Sequence, residues 1–187
     1  MVTLSKIYTK TGDSGETGLS DGSRVAKHSL RVAAMGAVDE CNSAIGIARL
    51  DAEDEMDAML GRIQNDLFDL GADLSMPEEA RKSEGALRIV GSQVERLERE
   101  IDAMNASLLP LKSFVLPGGT ALAAHLHLAR AIARRAETVI AELAVKEKLN
   151  PNALHYANRL SDHLFVMARS ANDSGMGDVL WVPGGNR

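Results

Sequence analysis

Residues 120–145 read TALAAHLHLARAIARRAETVIAELAV. At about 100° per residue, Leu122, Leu126, Ala129, Ala133, Ala136, Ile140 and Leu143 fall on one stripe of a helix. Leu128, Ile132 and Val139 widen that stripe. Thr120 is placed to open the helix, which is expected to run to about Val145. Four further segments carry the same periodicity. Ser29 is the expected N-cap of a helix reaching about Asp51. Residues 54–73 repeat Met56, Met59, Leu60, Ile63, Leu67 and Leu70 at three- and four-residue steps, with Leu74 just beyond. A third helix is expected from Glu84 to about Met104 on Leu87, Val90, Val94, Leu97 and Ile101, with Glu95, Arg96, Glu98, Arg99 and Glu100 solvated. Pro151 suits the first turn of a last helix ending near Asn172.

The expected fold is therefore all-α: an up-and-down bundle of five helices behind an N-terminal Gly-rich loop. One domain spans residues 1–187, with the loop at 1–28, the bundle at 29–172 and a tail at 173–187. Between the third and fourth helices lies a connection of about fifteen residues, 105–119, long enough to suggest a function. The tail segment 177–183 has no strand partner legible in the sequence.

Composition narrows the function classes. Apolar residues at 45% and charged residues at 25% are the balance of a globular protein, and 3% aromatics disfavour a β-sandwich. The net charge of −5 argues against nucleic acid and anionic membrane as partners. A single cysteine, Cys41, leaves no disulfide framework, and its place in a helix pattern makes it a small buried hydrophobe. No apolar run approaches a bilayer span. The first residues turn polar at once, without a signal-peptide core, so a cytoplasmic location is expected.

Several polar groups stand out. Arg130, Arg134 and Glu137 share the flank of the fourth helix at i, i+4 and i+7, whereas Arg135 points elsewhere. Two guanidinium groups one turn apart suit a polyphosphate or carboxylates, but on spacing alone a surface pair with a helix salt bridge to Glu137 is the commoner arrangement. Asn158, Ser161, Asp162, Phe165 and Arg169 give the fifth helix a mixed face, either lining a site or forming a buried network. Asp39, Asn42, Ser43 and Gly46 share a face of the first helix, where the carboxylate calls for a cation from another helix. Thr9, Lys10, Thr11, Gly12 and Gly15, with Lys27, hold the parts of a phosphate-cradling loop, although no P-loop pattern is present. His125 and His127 are two apart and form no helical metal pair, and no Glu-x-x-His occurs.

The order of these motifs is more specific than any one of them. KIYTKTGDSGETGL at 6–19 is followed by VDECNSAIG at 38–46, FVLPGG at 114–119, ARAIARRAE at 129–137 and NRLSDHLF at 158–165. Along nearly the whole chain this resembles the ATP:cob(I)alamin adenosyltransferases of the propanediol-utilisation type. The resemblance implies a five-helix bundle assembled as a homotrimer, with active sites between subunits. It implies transfer of the 5′-deoxyadenosyl group of ATP to the cobalt of cob(I)alamin, with release of triphosphate. ATP and cobalamin are then substrates, Mg²⁺ accompanies the triphosphate, and no metal site on the protein itself is expected. Thr9, Lys10, Thr11, Gly12, Thr17 and Lys27 match the N-terminal ATP segment, Arg134, Arg135 and Glu137 the fourth-helix ATP residues, and Asn158 one on the fifth helix. Arg130 matches an arginine that pairs with the Asp39 position across the subunit boundary. Phe114 matches an apolar residue beside the corrin that helps exclude the lower axial ligand. A flavin reductase and a cobalamin-dependent mutase are the implied protein partners. The chain departs from the family's pattern in the loop around Asp21, Ser23 and 26–29. A non-catalytic helical scaffold and a nucleotide-binding sensor are the readings from other classes. The first would not bind ATP, and the second would bind it without forming a carbon–cobalt bond.

Overall fold

The computed structural model describes residues 7–80 and 86–187. Among these residues the helices are α1 (Leu30–Ala48), α2 (Asp54–Leu74), α3 (Gly91–Asn105), α4 (Ala121–Lys146) and α5 (Pro151–Ala171). A 3₁₀ turn, Arg49–Asp51, closes α1. The Gly-rich segment is more ordered than a loop: β1 (Glu16–Gly18) pairs antiparallel with β2 (Arg24–Ala26), matching Thr17 to Val25.

Polar contacts between helices fix the direction of each. Arg49 pairs with Asp57, and Asn42 and Gln64 exchange side-chain-to-backbone bonds at 3.1 Å, so α1 and α2 are antiparallel. Arg96 reaches Asp66 and Arg62 reaches Glu100, so α2 and α3 are antiparallel. Arg31 pairs with Glu147, Arg135 with Glu40, and His125 with Asp51, an antiparallel register along the whole of α1 and α4. Glu137–Asn158 sets α4 against α5, whereas Glu98–Arg159 and Glu100–His163 run α3 parallel to α5. The result is the expected up-and-down bundle. Its core draws on the stripes read from the sequence: Leu126, Ala129, Ala133, Ala136, Ile140 and Leu143 of α4 are all buried.

Local chemistry explains the helix ends. The Thr120 hydroxyl accepts from the Ala123 N–H at 3.1 Å and caps α4. Asn150 caps α5 with Pro151 in its first turn. Ser29 takes the N-cap position of α1, but its hydroxyl makes no cap bond.

The third helix differs from expectation. It begins at Gly91, not at Glu84, which lies outside the described residues. Residues 86–90 are not helical, and the two N–H groups nearest the helix are taken by side chains: Ile89 donates to Asp73 Oδ2 at 2.9 Å and Val90 to Gln93 Oε1 at 2.9 Å. Ile89 is buried, while Leu87 and Val90, expected in the core, are exposed. The interior also holds polar groups that apolar periodicity does not report. The Tyr156 hydroxyl donates to Asp66 at 2.7 Å, and Asn150 donates to Asp73 and to the Ile89 carbonyl, both at 2.7 Å. These bonds partner the Tyr156 hydroxyl and the Asn150 amide, as burial of a polar group favours.

Candidate functional site

The helix-four motif opens onto a hollow of about 770 Å³ lined by Arg134, Arg135, Glu137, Thr138 and Asn158. Helix packing builds it. The small residues Ala133 and Ala136 are buried against the neighbouring helices, and the long polar side chains on the same turns flank that seam. Asn158 Nδ2 donates to Glu137 Oε1 at 2.8 Å, and Arg159 donates to Asn158 Oδ1 at 2.9 Å while holding Glu98. The amide is thus locked from both sides. Arg134 and Arg135 are exposed. Arg135, expected to point away, lines the same hollow and is steadied by Glu40 on α1. The helical wheel missed this because a guanidinium reaches well beyond its own Cα direction. Two cations beside a fixed amide have the chemistry that suits an anion bearing several oxygens.

Arg130 lies off this hollow. It is partly buried, its guanidinium sits 6.0 Å from the centroid of the Phe165 ring, and its Nε has no partner among the described residues. Burial, and then the charge of Arg134, lower its pKa from the ordinary arginine value. His127, one turn away and also buried, packs edge-on to Phe165, and burial followed by the Arg130 charge lowers its pKa. Asp39 is exposed, not half-buried, and borders an apolar groove with Val32, Met35 and Phe68 between α1 and α2. Among the described residues no ion pair joins Asp39 to Arg130 within the chain. Cys41 is buried as expected, and burial pushes its thiol up to about 12.

The N-terminal segment forms a separate cluster. The Thr9 and Thr11 hydroxyls lie 2.9 Å apart, and Lys10 between them has φ of 62°. The Lys27 ammonium packs so closely over Gly12 that a Cβ there would come within 3.0 Å of Nζ. Glycine at 12 lets this cation settle on the turn without shifting. The Lys27 N–H donates to the Gly15 carbonyl at 2.8 Å, and Arg24 donates to the Thr11 carbonyl at 2.8 Å. Thr17 sits in β1 opposite Val25. This hairpin is tied to the end of α2, where Ser20 N–H meets the Ser75 carbonyl at 3.1 Å. It therefore lies at the Arg31–Glu147 end of the α1–α4 pair, while Arg134 is about three turns up α4.

Phe114 is 77% exposed on the long connection, outside the core of the bundle. The tail supplies what the sequence hid. Val115 bridges to Leu180, the Leu116 N–H donates to Val179 at 2.8 Å, and the Trp181 N–H donates to Phe114 at 2.7 Å. The Phe114 and Trp181 rings lie 6.0 Å apart, inclined at 51°. Arg169, assigned by pattern to the mixed face of α5, is buried and paired with Asp178 at 2.8 Å. Asp162 of that face is exposed. The run of valine, leucine and tryptophan at 179–182 was a legible strand signal; its partner, some 65 residues earlier, was not.

Comparison with known proteins fits this arrangement. Residues 7–171 match the family model described as cobalamin adenosyltransferase. The chain is 50% identical over 190 residues to the corrinoid adenosyltransferase of Mycobacterium tuberculosis, covering 100% of this chain and 97% of the relative. It is 44% identical to the corrinoid adenosyltransferase of Bacillus subtilis, covering 93% and 91%. Among solved structures it is similar to a PduO-type ATP:corrinoid adenosyltransferase from Lactobacillus reuteri, a phenylalanine-to-alanine variant complexed with cobalamin and ATP. That match has a TM-score of 0.87 at 39% identity, covering 94% of this chain and 99% of the other. A family match over residues 7–171, relatives aligned along the whole chain and a shared helical architecture lead to one conclusion: this chain belongs to the cobalamin adenosyltransferase family, PduO type.

Proposed function

We infer that this chain transfers the 5′-deoxyadenosyl group from ATP to the cobalt of cob(I)alamin, forming adenosylcobalamin and releasing triphosphate. The observation that carries the reading is the hollow in which Arg134 and Arg135 flank the locked Glu137–Asn158 pair. Cobalt(I), brought in by the substrate, is the nucleophile. Its electron pair forms the bond to ribose C5′, the C5′–O bond breaks, and that electron pair leaves on the triphosphate. The protein needs no nucleophile of its own. It must hold C5′ over cobalt and stabilise charge on the departing phosphates.

Arg134, Arg135, Lys10 and Lys27 are the cations available for that charge, with Thr9, Thr11, Gly12 and Thr17 shaping the loop around it. Asn158 and Glu137 hold the nucleotide end of the hollow. Mg²⁺ would ride on the oxygens of the substrate triphosphate, where its charge offsets theirs, and it needs no ligand site on the protein. In a single chain the hairpin and the hollow stand about three turns apart. Asp39 is exposed and Arg130 keeps an unpartnered Nε. These features support a homotrimer in which the hairpin of one subunit closes over the hollow of the next and Asp39 meets Arg130 across the boundary. The exposed Phe114 ring serves as an apolar wedge against the lower corrin face. Without an axial ligand cobalt(II) is four-coordinate and easier to reduce, which makes the nucleophile attainable.

Among the described residues no helix is long and apolar enough to cross a membrane. We place the enzyme in the cytoplasm, supplied with electrons by a flavin reductase and passing its product to a cobalamin-dependent mutase. Titration calorimetry with ATP, with and without Mg²⁺, tests the reading. Saturable binding strengthened by Mg²⁺ is expected, whereas no binding would leave only a helical scaffold.

A further inference from the structure

The tail is attached in an unusual way. Val179 and Val182 are more than half exposed and Trp181 is nearly so, so little of the tail's hold on the bundle comes from apolar burial. Its buried contact is Asp178. That carboxylate is 2% exposed and receives Arg169 Nε at 2.8 Å and Asn172 Nδ2 at 3.1 Å. The same two side chains hold both ends of the Phe114 connection. Arg169 also donates to the Leu109 carbonyl at 2.9 Å. Asn172 donates to the Gly118 carbonyl at 3.2 Å and accepts from the Thr120 N–H at 3.0 Å. Gly119, at φ of 107°, leaves room for Asn172, because a Cβ there would lie 2.0 Å from its oxygen.

We propose that Asp178 is a positioning residue: clasped by Arg169 and Asn172, it seats the tail against the connection and so sets the direction of the Phe114 ring. This rests on the reading of Phe114 given above. The geometry carries it in sequence. The clasp fixes residue 178, the next residues bond to 114 and 116 through the backbone, and Trp181 then stands beside the Phe114 ring. A wedge works only if it is held still. The loop has few apolar anchors of its own: Leu109, Leu111, Phe114 and Leu116 are all exposed. Charge-assisted bonds to a desolvated carboxylate provide that rigidity.

The test uses Asp178→Ala, with Trp181→Ala as a second variant that leaves the clasp intact and guards against a folding defect. Trp181 is the only tryptophan, so its emission and quenching by acrylamide report tail seating directly. In Asp178→Ala we expect a red-shifted, more quenchable Trp181. We expect the rate starting from cob(II)alamin to fall about tenfold or more, the factor commonly lost with a charge-assisted hydrogen bond. The rate starting from pre-formed cob(I)alamin, and ATP affinity, should be nearly unchanged. Electron paramagnetic resonance should show less four-coordinate cob(II)alamin in the ternary complex, and Trp181→Ala should share the defect in weaker form. Equal losses from both cobalt states, or a freed Trp181 with no cob(II)-specific loss, overturn the proposal. Phe114→Ala is measured in parallel. If it shows the cob(II) defect and Asp178→Ala does not, positioning alone falls. If Phe114→Ala shows none, the wedge reading falls on its own account.

Discussion

Asn158 on α5 donates to Glu137 on α4 at 2.8 Å, while its own oxygen accepts from Arg159 at 2.9 Å. One amide therefore joins two antiparallel helices at the floor of the basic hollow. Its polarity is fixed: the nitrogen must face the carboxylate and the oxygen the guanidinium. A side chain held this firmly can present one edge to a nucleotide without losing much rotamer freedom on binding.

Asn158→Ala removes that lock. Losing hydrogen bonds to charged partners typically costs ~1.5–3 kcal/mol, so the KM for ATP should rise roughly tenfold or more. Helical content should be unchanged, because Asn158 is not part of the apolar core. Steady-state kinetics at saturating cob(I)alamin checks it, and an unaltered KM would take Asn158 out of the site.

Arg134→Lys keeps the charge and loses the planar fork. Removing a single donor to a developing negative charge costs about 10²–10³ in kcat in enzymes where it has been isolated. We expect kcat to fall toward that range with a smaller change in KM, read from triphosphate release. Turnover near that of the unaltered protein would show that Arg134 does not meet the leaving group.

Asp39→Asn should weaken assembly. If Asp39 and Arg130 pair across a subunit boundary, breaking the pair leaves a desolvated guanidinium, at about 3–5 kcal/mol for a buried pair. Sedimentation velocity should show trimer for the unaltered protein and dissociation to smaller species for the variant at the same concentration. A monomeric unaltered protein would end both the pairing and the shared site.

Much of the bundle was legible because its core is written in apolar periodicity. The α4 stripe from Leu126 to Leu143 is buried as read. The start of α3 was not, because what stops the helix is remote: Asp73 captures the Ile89 N–H from sixteen residues away. The same limit hid the tail. Trp181 finds Phe114 through a backbone pairing that spans the whole of α4 and α5, and nothing local marks the partner. Arg134, Glu137 and Asn158 were legible as candidates from motif and spacing, and the structure brings them to one hollow. Arg169 was read on a helix face, yet its work is done toward the tail.

The polar interior gives a stability prediction. Tyr156 is fully buried, and its hydroxyl donates to Asp66 at 2.7 Å. Burial first, then the neighbouring carboxylate, hold its pKa well above the ordinary tyrosine value, so it stays a donor. Tyr156→Phe leaves that oxygen of Asp66 with one partner fewer and should cost ~1–3 kcal/mol, seen in chemical denaturation. Activity per folded molecule should not change, since the pair lies away from the basic hollow.

Phe114→Ala separates reduction from transfer. The ring is exposed beside Trp181 and touches none of the cations of the hollow. Room for an axial ligand would keep cobalt(II) five-coordinate. Activity should fall sharply from cob(II)alamin and far less from pre-formed cob(I)alamin, with ATP affinity intact. Assays begun from each cobalt state decide it; equal losses would return the ring to general loop packing.

The transfer itself can be followed directly in the corrin's own spectrum. The protein is incubated with ATP, Mg²⁺ and chemically reduced cobalamin, and the absorption spectrum is followed before and after illumination. Conversion to an alkylcobalamin spectrum that light abolishes is expected, with one triphosphate released per cobalamin converted. ATP binding without any light-sensitive product, or release of diphosphate or orthophosphate in its place, would contradict it.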